Sequence, residues 1–577
     1  AVGNQALCGN TTGHSNTASG VDALKANTTG CRNTAVGMEA LFTNTTASNN
    51  TAVGNFSLKL NTTGAHNTAS GVYALKANTT ASYGAAFGTY ALNSTTTGDA
   101  NTAMGQGAMQ LNTTGACNTA TGTQAIYSNT TGCRNTASGR CALFANTTGC
   151  SNVAIGWQTL YANTTGIKNT FLGSFSGRYH TTGGCNSASG YQALYKVVSG
   201  SANTASGAYA LWSNTASSNT AVGFCAAMVN TTGIGNAAVG ALALAKNTTG
   251  AKNTATGAYA LYNNTTGTRN TASGYVALCS NTTGSHNTAS GYLALYGNTT
   301  GNCNTATGYL ALRNNTTASY NTAVGICALY ATTTGVKNAA FGWEALGANT
   351  TGGYNTATGP RALKSNTTGA RNTASGYQAM NSNTTGGDNS AFGRYALGAN
   401  TTGACNTASG KYALENNTTG AHNTAVGTCS LSQNSTASLN TAFGACALGA
   451  NTTGNKNTAT GYKALVGNTT GAHNTASGAY SMINNTTGHW NSAHGTYAFI
   501  ANTTGSCNTA SGSYALRNNT TGAFNSALGY RALNNNTTAN YNTAYGALAL
   551  CGTTSSNYNV AFGSCALSVN STGTQNT

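Results

Sequence analysis

A seventeen-residue unit, Asn-Thr-Ala-x-Gly-x-x-Ala-Leu-x-x-Asn-Thr-Thr-Gly-x-x, recurs along the whole chain and constrains its fold more than any other feature. One clear copy runs from Asn16 to Arg32. A repeat this short cannot bury an apolar face alone, so neighbouring copies must stack, and one tandem-repeat array over residues 1–577 is expected rather than several globular domains. With the first Asn as column one, the phase falls at Asn16, Asn33, Asn50 and Asn67 and then every 17 residues. At Gly84 the Asn is lost, but Ala86 and Gly88 hold the pattern. The one slip lies between Asn203 and Asn219, after Asn214-Thr215-Ala216-Ser217, where a corner residue is missing. A deletion there is tolerable, because one inside a strand would flip its faces. The 577 residues amount to about 34 repeats less one residue. Asn576-Thr577 joined to Ala1-Val2-Gly3 reads in register. That is expected of a window cut from a longer array, or of mature ends that abut in phase.

Helix is disfavoured, because Gly appears twice per repeat and Thr and Asn dominate the rest. The pattern predicts an all-β fold, a parallel β-solenoid or β-roll of about 34 stacked turns. Each turn is read as two short strands, Thr-Ala-x before the Gly and x-Ala-Leu-x after it. The column-five Gly, present from Gly3 to Gly563, is expected at φ > 0 or at a close backbone approach. Asn-Thr-Thr-Gly reads as a corner. The single proline, Pro360, fits a backbone paired throughout. Stacking at about 4.8 Å would place identical residues in ladders along a rod of order 160 Å. The core is thin: Ala in columns three and eight and Leu in nine, such as Leu24, Leu41 and Leu75, while column four varies from Ser19 and Val36 to Phe87 and Phe562. One buried Leu contributes about 1.5–3 kcal/mol, against about 1–2 kcal/mol of backbone entropy for every ordered residue. Cooperative stacking and association of several chains are therefore expected to help.

At Asn33 to Leu41, Asn321 to Leu329 and Asn423 to Leu431 the chain resembles the head repeats of YadA-like trimeric autotransporter adhesins, and it is similar to repeats of phage tail-fibre and other surface-fibre proteins. The resemblance implies a left-handed parallel β-roll, three chains wrapped together and a role in attachment at a cell surface. The period here is longer than that family's usual unit, and neither a coiled-coil stalk nor a membrane anchor is visible.

Only 5% of residues are charged, and the net charge of +17 is spread thinly. Eight basic residues, from Arg32 and Arg134 to Lys456, share column seventeen, without the clustering that nucleic-acid binding requires. No stretch of about 20 apolar residues could span a membrane. The six acidic residues offer no carboxylate pair for acid–base chemistry and no calcium loop, so no enzyme and no cofactor is legible. The recurring Asn-Thr-Thr matches the N-glycosylation pattern, giving Asn10, Asn27, Asn44 and Asn61 as candidate acceptors if the corner is exposed. An unmodified Asn ladder is the alternative, and the corner threonines are equally open to O-linked sugars. The 17 cysteines include two same-column neighbours, Cys133 with Cys150 and Cys429 with Cys446, which stacking would bring within disulfide reach. Many of the 29 tyrosines fall in columns six and seven, as an aromatic file for sugar rings or, preferably, for packing between chains. These features together predict an extracellular structural filament built by self-association, as a trimer or a laterally packed fibre. An adhesin head binding host or matrix glycans or proteins is the alternative, and an ice-binding threonine array the further one.

Overall fold

The computed structural model describes residues 1–577 and is all-β, with 33 parallel strands of three residues on a solenoid path and no helix. It divides into two compact units, Ala1–Asn287 and Thr288–Thr577. The first holds β1 (Thr17–Ser19) to β16 (Thr271–Ser273), and the second β17 (Thr288–Ser290) to β33 (Val560–Phe562). Within each unit, successive strands pair in parallel with like columns opposed. Thr17, Ala18 and Ser19 face Thr34, Ala35 and Val36, and Thr356, Ala357 and Thr358 face Thr373, Ala374 and Ser375. The shortened turn keeps this register, because Thr204, Ala205 and Ser206 face Thr220, Ala221 and Val222. The missing residue is absorbed at the corner. There Asn214 Nδ2 reaches the Ala216 carbonyl two residues on (2.7 Å), whereas Asn230 in the next turn reaches Gly233 three residues on (2.9 Å).

Each turn contains one strand, not two. Columns two to four form it, but x-Ala-Leu-x curls into a bend. The reason is backbone handedness: columns seven and nine take φ near +55°, as at Glu39 (54°) and Leu41 (53°), and column seventeen does the same, as at Asn49 (62°). The bend still bonds between turns. Glu39 N–H donates to the Val21 carbonyl of the preceding turn (2.8 Å), and Leu41 N–H to the Ser57 carbonyl of the following one (3.0 Å). Left-handed geometry costs a side-chain-bearing residue about 1–2 kcal/mol, so three such columns strain every turn and only stacking can offset them. Glycine stands in three of these places, Gly107 in column seven (65°), Gly177 in column nine (60°) and Gly235 in column seventeen (67°).

The column-five glycines lie at φ between +117° and +140°. Besides that conformation, they allow turns to touch: a Cβ on Gly376 would come within 2.6 Å of the Gly393 carbonyl oxygen. Columns three, eight and nine supply the core, with Ala35, Ala40 and Leu41 fully buried. Column four points outward, leaving Val53, Phe87, Met104 and Phe341 exposed, because alternate strand residues face opposite ways.

Two asparagine ladders fill the rest of the interior. In column one, Asn355 Nδ2 crosses its own turn to the Gly369 carbonyl (2.8 Å), while its Oδ1 accepts the backbone N–H of Asn372 in the next turn (3.0 Å). In column twelve, Asn366 Nδ2 donates to Asn349 Oδ1 of the turn before (2.8 Å) and to the same Gly369 carbonyl (2.9 Å). Each buried amide thus satisfies backbone groups that the curled path would otherwise strand. Where Gly84 removes the column-one amide and Thr95 the column-twelve one, the Asn101 amide of the next turn donates both to Gly98 (2.9 Å) and to Gly115 (2.7 Å), covering the Gly98 carbonyl left without its usual donors.

The irregular turn from Asn169 to Cys185 exchanges volumes across the core. Phe171 replaces the column-three Ala, and Gly177 replaces the column-nine Leu. A Cβ on Gly177 would overlap the Phe171 ring. His180 takes the column-twelve position, buried, with Nδ1 3.1 Å from Asn163 Oδ1 and Nε2 3.1 Å from Asn186 Nδ2. Its edge-on contact with Phe171 has ring centres 5.7 Å apart.

Candidate binding surfaces

The core columns are committed to packing and the amide ladders to hydrogen bonding, so surface chemistry falls to the outward columns. The strand face presents columns two and four. It alternates threonine–serine or threonine–threonine pairs, such as Thr119 with Thr121, with apolar residues such as Ile155 and Phe392. Threonine and serine side chains therefore form short runs on this face, interrupted by exposed hydrophobics.

The aromatic columns stack on themselves. Tyr480, Tyr497 and Tyr514 in column seven lie nearly parallel in consecutive turns, with ring centres 5.1 and 5.4 Å apart. Tyr127, Phe144 and Tyr161 do the same in column ten, at 5.1 and 5.0 Å, and Phe524, Tyr541 and Tyr558 in column seventeen, at 4.9 and 5.0 Å. Faces used on neighbouring rings are closed to a ligand, so these files present edges and hydroxyls outward. Each offset-stacked pair adds about 0.5–1.5 kcal/mol between turns. Cations cover further rings from neighbouring columns: Lys196 lies 4.1 Å from the Trp212 ring centre and Arg361 4.3 Å from that of Trp343.

A groove lies at Leu310, Cys327, Tyr330, Glu344 and Lys364, where Gly347 and Ala348 leave the surface low. Its charges are already matched. Lys364 and Arg361 each approach Glu344 Oε2 at 3.0 Å, and hydrogen bonds from Lys364 first and Arg361 second hold the carboxyl below the usual carboxylate range. Arg371 in column seventeen pairs with Asp388 in the next turn at 2.7 Å.

The candidate glycosylation residues lie in an inward-facing Asn ladder, not on an exposed corner. Asn27, Asn44 and Asn61 are fully buried, and Asn10 is half-buried. Asn44 Nδ2 donates to Asn27 Oδ1 (2.9 Å) and to the Ala47 carbonyl (3.1 Å), and Asn61 Nδ2 to Asn44 Oδ1 (2.8 Å). The stacked fold leaves no room for a sugar on the Asn27, Asn44 and Asn61 nitrogens. Cys133 and Cys150 do come together. Both are free thiols with Sγ atoms 3.0 Å apart, and Cys133 N–H also donates to Cys150 Sγ (3.0 Å). The hydrogen bond with Cys150, with burial second, pushes the Cys133 thiol above its ordinary value. Cys429 and Cys446 are likewise free neighbours in one column, and burial, followed by the adjacent Cys446, pushes Cys429 up.

His180 gave no signal as a scattered histidine in the sequence. Its replacement of a column-twelve Asn was the available clue, and burial lowers its pKa to about 4. The groups around it are neutral amides and the Phe171 ring, so it acts as a structural substitute for Asn. No group of three or more histidine, cysteine or acidic side chains converges to hold a metal among the described residues. With no helix in the fold, there is none long and apolar enough to cross a membrane. No family model matches the chain, and no curated protein matches it.

Proposed function

We propose that the chain is a structural shaft of an extracellular filament, in which copies associate side by side through the outward strand face. The supporting observation is a run of exposed apolar residues in column four of the second unit, where Leu528 (50%), Tyr545 (37%) and Phe562 (67%) lie in register in three consecutive turns, and Phe341, Phe392 and Phe443 recur in the same column. Contiguous exposed apolar residues on one strand face mark an association surface. The scaffold suits this task because, within each unit, the regular turns repeat the same bonds to the turns beside them, so the face continues for as many turns as are stacked.

Light scattering and electron microscopy of the purified chain test the proposal. Filaments or defined oligomers are expected, and replacing Phe341, Phe392 and Phe443 together by Ser should disperse them without loss of β structure. A parent chain that stays monomeric at all accessible concentrations would refute it. An adhesive surface is the second reading, supported by the exposed and variable aromatics of column six, such as Trp157 (46%) and Tyr309 (50%). Saturable binding to glycan or matrix ligands by unassembled chain would favour that reading over the shaft.

A further inference from the structure

One exposed column is constant without a structural reason. Column fourteen, the second Thr of Asn-Thr-Thr-Gly, is exposed in every full-length turn, as at Thr29, Thr46, Thr368 and Thr385. Its hydroxyl donates and accepts no hydrogen bond within either unit. The Thr before it is different. Column thirteen is half-buried, and its hydroxyl donates to the column-thirteen carbonyl of the next turn, as from Thr367 to Thr384 (3.1 Å) and from Thr384 to Thr401 (3.1 Å). Stacking therefore accounts for column thirteen and leaves column fourteen unexplained.

Recent duplication does not account for it, because exposed columns four, six and seventeen of the same repeats have diverged, and the outward Thr of column two loses its hydroxyl at Ala85, Val153, Ala237, Ala339 and Val560. Column six alone runs through Val21, Met38, Asn55, Arg140, Trp157 and Tyr191. Nor is the Thr retained as part of an Asn-x-Thr acceptor. In five turns column twelve is not Asn, being Thr95, His180, Val197, Thr332 or Thr553, and the pattern is broken. Column fourteen still carries a hydroxyl in all five, as Thr97, Thr182, Ser199, Thr334 and Ser555. In two of these Ser replaces Thr, which keeps the hydroxyl and discards the methyl. The exception is Ala216, in the turn shortened by one residue.

We propose that the column-fourteen hydroxyls are acceptors of O-linked sugars, giving a line of glycans along one corner of each unit. The corner suits a transferase, because in most turns a buried Asn precedes it by two residues, a small Gly, Ala or Ser follows, and the hydroxyl stands clear. In the step, Thr Oγ attacks the anomeric carbon of a sugar carried as a nucleotide- or lipid-linked phosphate ester. The C1–Oγ bond forms as the bond from C1 to the carrier phosphate oxygen breaks. The hydroxyl proton passes to a base of the transferase, and the phosphate-bearing carrier leaves. A neutral sugar fits this line better than phosphate, since phosphates one strand spacing apart would repel one another along the whole column. The proposal is independent of whether the chain forms a filament.

The test compares protein isolated from the cells that make it with chain produced in a host lacking O-glycosylation. Intact mass and electron-transfer fragmentation of the native protein should show whole sugar increments on column-fourteen residues, with columns twelve and thirteen unmodified. A native mass equal to that of the bare chain, or sugars confined to other columns, would overturn the proposal. In the unmodified chain, replacing Thr368, Thr385 and Thr402 together by Ala should leave the melting temperature unchanged. A clear fall would assign the constancy of the column to folding and would also overturn it.

Discussion

The exchange of Phe171 and Gly177 offers the sharpest test of how tightly the core is matched. In an ordinary turn the same two positions hold Ala and Leu, and here the ring of one fills the space that the side chain of the other would need. Phe171→Ala alone should leave a cavity and remove the edge contact to His180, costing about 3–5 kcal/mol. Gly177→Leu alone should force two large groups into one space, at about 3 kcal/mol, with a further ~1 kcal/mol from placing a side chain at the left-handed φ of 60°. The double variant restores the common repeat and should lie within about 1–2 kcal/mol of the parent. The two substitutions are therefore coupled by at least about 3 kcal/mol, beyond ordinary additivity. Urea unfolding of all four proteins measures the sum, and hydrogen exchange at the amides of Leu160 to Leu194 shows whether the effect stays local. Additive losses in the double variant would refute the reasoning, because they would mean that the two residues do not share one volume.

Three further outcomes follow from the same geometry. Asn355→Ala should destabilise by about 2–3 kcal/mol in unfolding experiments, since it leaves the buried Asn372 N–H without its acceptor and the Gly369 carbonyl with the Asn366 amide alone. His180 binds a proton with a pKa of about 4 when folded, against 6.5 for the free side chain. The unfolded chain therefore holds more protons between those values, and stability should be full above pH 6.5 and fall by about 3 kcal/mol as the pH drops to 4; hydrogen exchange in that turn should show the loss, and His180→Asn should reduce it. Leu439→Asn should raise the melting temperature, because Leu439 is exposed and sits at φ 62°, where Asn relieves up to about 1 kcal/mol of strain.

Self-stacking in the aromatic columns explains why a file of tyrosines is a poor guide to a ligand. Read along the sequence, Tyr480, Tyr497 and Tyr514 are three exposed rings; in the fold, the middle ring has both faces covered. The cysteine neighbours show the opposite case, since Cys133 and Cys150 meet as their shared column requires.

The sequence alone determined the period, the strand at columns two to four, the in-register stacking, the positive φ of the column-five glycines and the placement of the deletion at a corner. These follow from residue type and spacing, because a ladder of like residues needs only a fixed period to form. Only the tertiary structure decided that Ala40-Leu41 bends instead of extending, that Asn44 turns inward, that Phe87 points out, and that His180 serves as an asparagine. Each of these depends on what lies in the turns before and after it. Leu41 accepts a left-handed backbone because its N–H finds the Ser57 carbonyl one turn away, and Asn44 is buried because Asn27 and Asn61 bond to it from either side. Local propensity would expose the asparagine and straighten the bend, and stacking overrides both.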